Sequence, residues 1–342
     1  MEGNVNNTVH LLNLAKQIET SRGEVTTIGD VIFDAFTFGS NERTSSEAPV
    51  PVIQTTRKET MPGGAGNVAA NIAALGGKSK LIGVIGMDTT GIELRELLRK
   101  HEIDTDSMVI DPQRPTTKKE RFLDGDTQLL CVARESREVV APWVIEKVIN
   151  TLMGNGYSIV VITDYNRGMV SPELIRRTIE ICSQQGKKVI VDVHIKDNFD
   201  ITCLQGAYLI TPNRKEAATL LGKAIPDDHQ SAELIARHMA EQIGTNVLLT
   251  RDNEGMTLVT TDGAVNHIPA LEQNAICVSG AGDTVVGTIS LALASNIELI
   301  DAVKLSAYTA AVVVGKIGTA TVTMHELTRV IESLSKAQSV LV

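Results

Sequence analysis

The clearest chemical signal in the sequence is the stretch Ser279-Gly280-Ala281-Gly282-Asp283-Thr284. An extended apolar run, residues 275–278, precedes it, and small and apolar residues at helical spacing follow it. This pattern predicts that Gly280, Ala281 and Gly282 form the first turn of a helix. The N–H groups of a first turn have no intrahelical acceptors and carry the positive end of the helix dipole, so they bind anions. Asp283 is then either an exposed carboxylate that complements the dipole, or a base that deprotonates a hydroxyl attacking a phosphoryl group.

A second helix start contains Gly63 and Gly64, with Asn67 one turn later. The helix that follows is rich in alanine and ends at Gly76-Gly77. The alanines by themselves indicate only that the helix packs closely against a sheet. The paired glycines and Asn67 are not explained in that way, and they favour a ligand that approaches bare backbone at the helix N-terminus.

Polar side chains follow the predicted strands at their carboxyl ends, the edge where open α/β sheets bind ligands. Asp30 and Asp34 lie near the end of the first predicted strand, residues 25–34, and they either bind a ligand or cap turns. Three later strands end in the same way, in segments that contain Asp164, Asp192, and Asn213 with Glu216. The last two residues are three apart at a helix start, where they form a capping box or hold a ligand.

Regular alternation of strands and helices predicts an α/β fold, with apolar strands suited to a parallel sheet and helices packed on it. Residues 1–23 are expected to form an N-terminal helical extension, and residues 24–336 the main domain. Two segments, at about 35–60 and 115–135, alternate apolar and polar residues, and the second contains a hairpin signal at Asp124-Gly125-Asp126. These segments should pair as a small antiparallel β lid that covers a cleft or packs against its counterpart in a dimer.

Composition excludes several classes of function. A net charge of −9 argues against nucleic acid or an acidic membrane surface as the main partner. The four cysteines are scattered, which is typical of reduced thiols rather than a disulfide framework or a zinc site. Neither a signal-peptide pattern nor an apolar run of about 18 residues is present, so we expect a soluble, cytoplasmic protein.

From about residue 24 to 335, the sequence resembles the ribokinase-like family of carbohydrate kinases. The resemblance depends on residues 62–69, residues 279–284, and Asn213-x-x-Glu216 between them. It implies a doubly wound, mostly parallel sheet flanked by helices, a small antiparallel β lid, and ATP bound over the C-terminal half. It also implies Asp283 as the base and Gly280 to Gly282 as the anion hole. It also implies that Asn213 and Glu216 hold Mg²⁺ through water.

The same resemblance assigns further residues to the two substrates. The expected ATP-binding residues are Asn213, Arg214, Lys215, Glu216, Thr250, Arg251 and Gly255. The residues expected to orient sugar hydroxyls are Asp34, Gly63, Gly64 and Asn67. The lid cations Arg43, Lys119 and Arg121 are candidates for a phosphate already on the sugar, although each is equally compatible with a solvated lid charge.

Within the family, the sequence is most similar to kinases of D-glycero-β-D-manno-heptose 7-phosphate, which supply lipopolysaccharide precursors. The most specific segment is Ser46-Glu47-Ala48-Pro49-Val50-Pro51-Val52 in the lid. The likeness implies phosphorylation of the anomeric hydroxyl to give the 1,7-bisphosphate, a homodimer formed through the lid, and a kinase without the nucleotidyltransferase to which such kinases are often fused. Two alternatives stay open: a kinase for another sugar or a nucleoside, and a catalytically impaired binding regulator.

Five positions depart from the usual pattern. Cys277 and Ser279 stand where the family usually has aspartate and threonine, and that aspartate is associated with a monovalent cation. Activation by potassium is therefore in doubt. Heptose kinases usually read Asp-Pro-Lys at Asp192-Val193-His194 and carry an arginine at Cys131. Because both changes fall near expected ligands, they bear on the choice of sugar rather than on the kinase chemistry.

Overall fold

The computed structural model describes residues 2–125, 127–154, 157–192, 194–195, 199–222, 228–271 and 277–340. Within those ranges the side chains are described from residue 7 to residue 334. Residues 275 and 276 of the apolar run before the glycine-rich turn lie outside the described residues, as do Asp126 of the predicted hairpin and Val193.

The described helices and strands alternate along most of the chain. The helices are α1 (Glu2–Ser21), α2 (Ala65–Ala74), α3 (Thr89–Lys100), α4 (Pro142–Leu152), α5 (Pro172–Gln184), α6 (Arg214–Leu221), α7 (His229–Ile243), α8 (Ala281–Ala294), α9 (Leu299–Val314) and α10 (Met324–Val340). The strands are β1 (Glu24–Gly29), β2 (Val31–Thr44), β3 (Pro51–Gly64), β4 (Lys78–Ile82), β5 (Val84–Ile85), β6 (Ile103–Asp104), β7 (Val109–Ile110), β8 (Lys118–Asp124), β9 (Thr127–Arg134), β10 (Ile159–Thr163), β11 (Lys188–Asp192), β12 (Leu209–Ile210), β13 (Asn246–Thr250), β14 (Met256–Val259) and β15 (Val265–Ile268).

Nine of the described strands form the main sheet, in the order β15-β14-β13-β12-β11-β10-β1-β4-β6. From β13 to β6 every pairing is parallel, and only β14 and β15 are added antiparallel at one edge. The chain starts at β1, winds outward to β4 and β6, and then returns to continue from β10. The predicted doubly wound sheet is confirmed, and its order reverses between β1 and β10, where such sheets form a ligand crevice.

The sheet is buried on both faces, which explains the continuous apolar runs of its strands. Along β10, Val160 and Ile162 join a core formed with α4, α5 and α7, whereas Ile159 and Val161 join the core under α1, α8 and α9. Helices α2 and α8 approach closely because both carry small residues. A Cβ on Gly287 would lie 3.1 Å from the carbonyl oxygen of Val68.

The lid is a separate sheet in the order β3-β2-β8-β9. Pairing is antiparallel within each hairpin, as expected, but β2 and β8 run parallel to each other. The first predicted strand, residues 25–34, is in fact two strands, because the chain leaves the main sheet at Asp30 and continues as β2. Asp34 therefore belongs to the lid rather than to the main sheet.

The inner face of the lid lies against the C-terminal part of the chain. Phe36, Phe38 and Leu123 form a buried cluster with Met61 and Ile317. Ile317 belongs to the turn that follows α9, so this contact fixes the lid above the start of α8. Among the described helices, none combines the length and the apolar character that crossing a bilayer requires.

Candidate active site

The site is centred on Asp283, in the first turn of α8. Its side chain is buried, with 5% of the residue exposed. Asn67 Nδ2 donates to Asp283 Oδ2 at 2.7 Å, and the hydroxyl of Tyr165 donates to Asp283 Oδ1. The exposed, dipole-complementing interpretation of Asp283 is therefore wrong, because this carboxylate is enclosed and has a donor on each oxygen.

A buried amide pair holds Asn67 in place. Asn71, one turn later in α2, donates to both the carbonyl oxygen and Oδ1 of Asn67 at 3.0 and 3.2 Å. Asn71 Oδ1 in turn accepts from the Thr284 hydroxyl and the Val322 backbone, each at 3.3 Å. Small residues allow α2 and α8 to approach closely, and these two amides fill the polar part of the contact.

Asp30 positions the loop that carries Tyr165. Its carboxylate accepts backbone N–H bonds from Tyr165, Arg167 and Met169 at 2.9, 2.9 and 3.1 Å. Three such bonds to one buried carboxylate fix the path of residues 165–169 across the crevice between β1 and β10. Asp30 thus anchors a turn, whereas Asp34 lies in the site itself.

Burial raises the pKa of Asp283 to about 7. The hydrogen bonds from Tyr165 and Asn67 act in the opposite direction, and the charges of Asp192 and Asp34 add to the rise. A carboxyl group with a pKa near neutrality is matched to proton transfer at physiological pH. Burial, followed by the charge of Asp283, raises the pKa of Tyr165 well above its ordinary value, so its hydroxyl keeps its proton and acts as the donor.

The glycines at both helix starts are explained by close approach. Gly280 is the N-cap of α8 with φ of 83°, and a Cβ there would lie 2.7 Å from Asn67 Nδ2. A Cβ on Gly63 would collide with the Asp34 carboxylate. In contrast, a Cβ on Gly282 would meet no atom within 4 Å, so the first turn of α8 faces open space there. Ala281, between the two glycines, packs against the core.

Cationic side chains from the lid and from the Tyr165 loop converge beside Asp34. Arg121 Nη1 lies 2.5 Å from Asp34 Oδ1, and Arg167 Nε lies 2.7 Å from Glu135 Oε2. Burial lowers the pKa of Lys119, and the nearby charges of Arg167 and Arg121 lower it further, while Asp34 and Glu135 oppose the shift. These five side chains, which we call the lid charge cluster, carry three positive and two negative charges.

Arg43 lies apart from this cluster. It is exposed near the outer end of β2, opposite Val52. Nine residues of strand separate it from Asp34, which corresponds to roughly 30 Å. Of the three predicted phosphate ligands, the structure therefore brings together Lys119 and Arg121, and it leaves Arg43 outside the site of the same chain.

Asn213 and Glu216 form a capping box at the start of α6. Asn213 Oδ1 accepts from the Glu216 backbone at 3.0 Å, and Glu216 Oε2 accepts from the Asn213 backbone at 2.9 Å. The capping interpretation is thus confirmed. It leaves Glu216 Oε1 available on the other side, 3.4 Å from His194 Nδ1.

A second carboxylate stands near Glu216. Burial raises the pKa of Asp192 to about 7, and the charge of Glu216 contributes to that rise. Burial likewise raises the pKa of Glu216 to about 7. Two half-buried carboxyl groups that repel each other are stabilised by a cation, and oxygen ligands are those that Mg²⁺ prefers. Among the described residues no cluster of three or more His, Cys, Asp or Glu side chains could hold a metal by itself. The donor set fits a divalent ion that also uses nucleotide phosphates and water.

The remaining predicted ATP residues surround the end of β13. Arg251 is buried and contacts His229 Nδ1 at 3.1 Å and the Glu254 carbonyl at 3.0 Å, so its guanidinium packs inside the protein. Arg214 donates to the Arg251 carbonyl at 3.3 Å. A Cβ on Gly255 would collide with the backbone of Ile268 and Pro269, which accounts for this glycine structurally. Thr250 is half-buried, and Lys215 is exposed.

Sequence reasoning assigned no role to Tyr165, Arg167, Glu135 or Asn71. A signal was present for the first two, because they follow the carboxyl end of β10, where polar residues were noted. Nothing in the spacing pairs Glu135 with Arg167, since one follows the lid and the other follows the main sheet. Asn71 looked like part of an alanine-rich packing surface, and only the approach of α8 gives it a function.

Comparison with known proteins agrees with this geometry. The model of the "pfkB family carbohydrate kinase" matches residues 23–326. Relatives named "Bifunctional protein HldE" are 40% identical over 321 residues in Paramagnetospirillum magneticum and 38% identical over 302 residues in Geobacter metallireducens. These matches cover 92% and 88% of this chain but only 64% and 61% of the relatives, so the chain spans less than two thirds of their length.

Solved structures share the fold at low sequence identity. Phosphofructokinase-2 from Escherichia coli, in complex with substrates and products, has a TM-score of 0.76 at 20% identity. That match covers 92% of this chain and 99% of the other. Ribokinase from Arabidopsis thaliana, complexed with ribose and ATP, has a TM-score of 0.70 at 17% identity, with 91% and 99% covered. The matched family model, which extends over most of the sequence, and the buried aspartate at a glycine-rich helix start lead to one conclusion: the chain belongs to the pfkB family of carbohydrate kinases and is an ATP-dependent carbohydrate kinase.

Proposed function

We propose that the chain transfers the γ-phosphoryl group of ATP to the anomeric hydroxyl of D-glycero-β-D-manno-heptose 7-phosphate, with Mg²⁺, and forms the 1,7-bisphosphate. The observation that carries the proposal is the lid charge cluster. Lys119, Arg121 and Arg167 converge beside the expected sugar site with a surplus of one positive charge. A sugar that already bears a phosphate group supplies negative charge that offsets this surplus. The identity of 35–40% to HldE proteins gives independent support.

The cluster suits a substrate phosphate because its arginines can exchange partners. Arg121 and Arg167 each bind one carboxylate in this state. Guanidinium groups bind phosphate in bidentate geometry. A phosphate can therefore replace the carboxylate contact of each arginine while the arginine stays paired with an anion. Lys119 adds a charge that is partly desolvated, which strengthens its attraction to an anion.

The chemistry assigned to this site is proton removal coupled to phosphoryl transfer. The anomeric oxygen attacks the γ-phosphorus of ATP while its proton passes to Asp283, and the bond from that phosphorus to the β–γ bridging oxygen breaks. N–H groups at the start of α8 stabilise the charge on the transferring group. Asn213, Glu216 and Asp192 are the residues that would hold Mg²⁺ through water and phosphates, and the ion neutralises phosphate charge when bound.

The test is a substrate panel at fixed ATP and Mg²⁺, followed by Lys119→Met. Loss of one charged contact to phosphate should raise KM for heptose 7-phosphate about 10- to 100-fold and leave KM for ATP nearly unchanged. Lys118→Met is the matched control. Lys118 is the neighbour on the same strand, points to the opposite face, and pairs with Glu120 at 3.0 Å.

Three outcomes would contradict the proposal. Faster turnover of an unphosphorylated sugar or a nucleoside would favour a related kinase with another substrate. Binding of ATP and sugars without any turnover would favour the impaired regulator. Equal effects of Lys118→Met and Lys119→Met on KM would show that the cluster does not bind the substrate phosphate.

A further inference from the structure

The hydroxyl of Tyr165 donates a hydrogen bond to the oxygen of Asp283 that the proposed reaction needs. Of the two carboxylate oxygens, Oδ2 accepts from Asn67, whose amide is itself fixed by Asn71. Oδ1 accepts from Tyr165. Because the Asn67 contact lies in the packed interface of α2 and α8, Oδ1 is the oxygen that can change partners.

While the Tyr165 hydroxyl donates to Asp283 Oδ1, no acceptor hydroxyl can reach this carboxylate. Only 5% of Asp283 is exposed, although the neighbouring Gly282 faces open space. An acceptor hydroxyl must donate its proton toward Asp283, in the same way as the Tyr165 hydroxyl does now. The phenol therefore stands where the hydroxyl of an acceptor would stand.

The loop around Tyr165 limits how the residue can leave. Its backbone is held by the three bonds to Asp30, and Arg167 donates to the Tyr165 carbonyl at 2.9 Å. Residues 165–169 are thus fixed, and the movement that remains is rotation of the Tyr165 side chain about its own torsions. Such rotation takes place without opening the fold.

We propose that Tyr165 is a specificity-determining residue that makes the base accept a sugar and reject water. This inference rests on the proposed function. In the absence of sugar, the phenol occupies Oδ1 and excludes water. A sugar that gains contacts to Asp34 and the lid charge cluster displaces the phenol, whereas water has no such contacts with which to compete.

The reaction that Tyr165 suppresses is hydrolysis of ATP. In it, a water oxygen bonds to the γ-phosphorus, the bond from that phosphorus to the β–γ bridging oxygen breaks, and ADP leaves with the electron pair. The water proton passes to Asp283 Oδ1 and then to solvent. The products are ADP and inorganic phosphate, and no further reactant is needed.

The experiment measures ADP release from Mg-ATP without any sugar. Tyr165→Phe removes only the hydroxyl and should raise this hydrolysis about 10- to 100-fold, the worth of one hydrogen bond to a charged group. Phosphorylation of a saturating sugar should not rise in parallel, because the phenol is displaced in that complex. More than one ATP should then be consumed for each sugar phosphorylated.

Two further variants make the result specific. Tyr157→Phe is the matched control, because this buried tyrosine donates its hydroxyl to the Leu152 carbonyl away from the site, and hydrolysis should not change. In the double variant Tyr165→Phe/Asp283→Asn, the rate of ATP hydrolysis should return to that of the unsubstituted protein or below. Unchanged hydrolysis in Tyr165→Phe, or an increase that survives Asp283→Asn, would overturn the proposal.

A spectroscopic measurement covers the case in which Tyr165→Phe does not fold. The chain has four tyrosines, so the protein labelled with 3-fluorotyrosine has four ¹⁹F resonances. Asp283→Asn should shift one of them strongly, whereas four unchanged resonances would show that the contact is absent in solution. Neither the sugar-free ADP-release assay nor the ¹⁹F measurement depends on the identity of the sugar. Failure of the proposed function appears separately, as the absence of ATP use stimulated by heptose 7-phosphate in the unsubstituted protein.

Discussion

At Asp283, a carboxylate is placed for proton transfer by burial and by two neutral donors rather than by a cation. An arginine or lysine at this distance would hold its pKa low and weaken it as a base. Neutral donors orient the oxygens and stabilise their charge less strongly, so the pKa remains near 7. Both protonation states of Asp283 are therefore accessible near neutral pH.

Replacement of Asp283 by asparagine should lower kcat by about 10²- to 10⁴-fold, because the base is lost while the shape of the site is kept. The Kd for ATP should change little, since the backbone of the first helical turn is unaltered. Steady-state kinetics and calorimetry measure the two quantities. Asp262→Asn, in an exposed turn, is a suitable control. Near-normal kcat on the true substrate would remove Asp283 from the mechanism.

The pH profile should have a matching acid limb. The raised pKa means that Asp283 becomes protonated, and inactive as a base, as the pH falls through about 7. We expect kcat/KM to fall about tenfold per pH unit below that point and to level off above it. The residual activity of Asp283→Asn should lack this part of the profile. A flat profile from pH 5.5 to 8 in the unsubstituted protein would contradict the assignment.

Cys277 leads to a prediction about potassium. Its backbone N–H donates to the Val314 carbonyl at 3.1 Å, so the chain passes close to the end of α9 at this point. A neutral thiol is a weak ligand for a hard cation, which prefers oxygen. We expect little activation by K⁺ relative to Na⁺ at matched ionic strength, and Cys277→Asp should introduce or strengthen it. A several-fold response of the unsubstituted protein would show that backbone carbonyls suffice.

At the scale of elements, the capping box of α6 and the proposed metal contact share one side chain. Glu216 uses Oε2 for the cap, and Oε1 points toward His194. The two roles are therefore compatible in space. Glutamine at this position can still cap the helix, since it keeps an acceptor oxygen, but it brings no charge to the metal.

Glu216→Gln should consequently raise the Mg²⁺ concentration needed for half-maximal activity, with only a small change in melting temperature. The matched control is Glu326→Gln at the start of α10. Glu326 Oε2 accepts from the Thr323 backbone at 2.9 Å and forms the same kind of cap, while its Oε1 lies 2.7 Å from Lys316 Nζ. If both variants lose stability equally and neither changes the Mg²⁺ titration, Glu216 is a capping residue alone.

At the scale of the whole molecule, the edge strand β9 of the lid offers a surface for association with another chain. Every residue of β9 is exposed, including Leu130 and Val132, which are 54% and 50% exposed and point to the same face. An unpaired edge strand with apolar side chains is a typical surface for association. We therefore keep the expectation of a homodimer formed through the lid.

Val132→Glu in combination with Leu130→Glu should convert such a dimer to monomers, because four buried charges would face each other across the two-fold axis. Sedimentation velocity measures the change. Val139→Glu, an exposed apolar position outside the lid sheet, is the control and should leave the dimer intact. A protein that sediments as a monomer without substitutions would refute the expectation.

Local patterns determined most of the secondary structure and the two helix starts, because hydrophobic period, capping residues and glycine placement act over a few neighbours. The same patterns predicted that Asp283 and Asn67 each lie at a glycine-containing helix start, but they did not show that the two side chains contact each other. They also could not separate the lid from the main sheet at Asp30, since a buried strand continues into a buried lid strand without any change of period.

Only the tertiary structure decided which distant side chains share a site. Tyr165 and Asp283 are 118 positions apart, and the order of strands β1 and β10 brings them together. Parallel pairing of β2 with β8 brings the Arg121 side chain into contact with Asp34. Arg43 is a charged residue of the same lid, but it lies at the far end of β2. The sequence determines which chemical groups are available. The distances between these groups depend on strand register and crossover connections. These in turn depend on pairing between distant segments, and neither segment's own sequence identifies its partner.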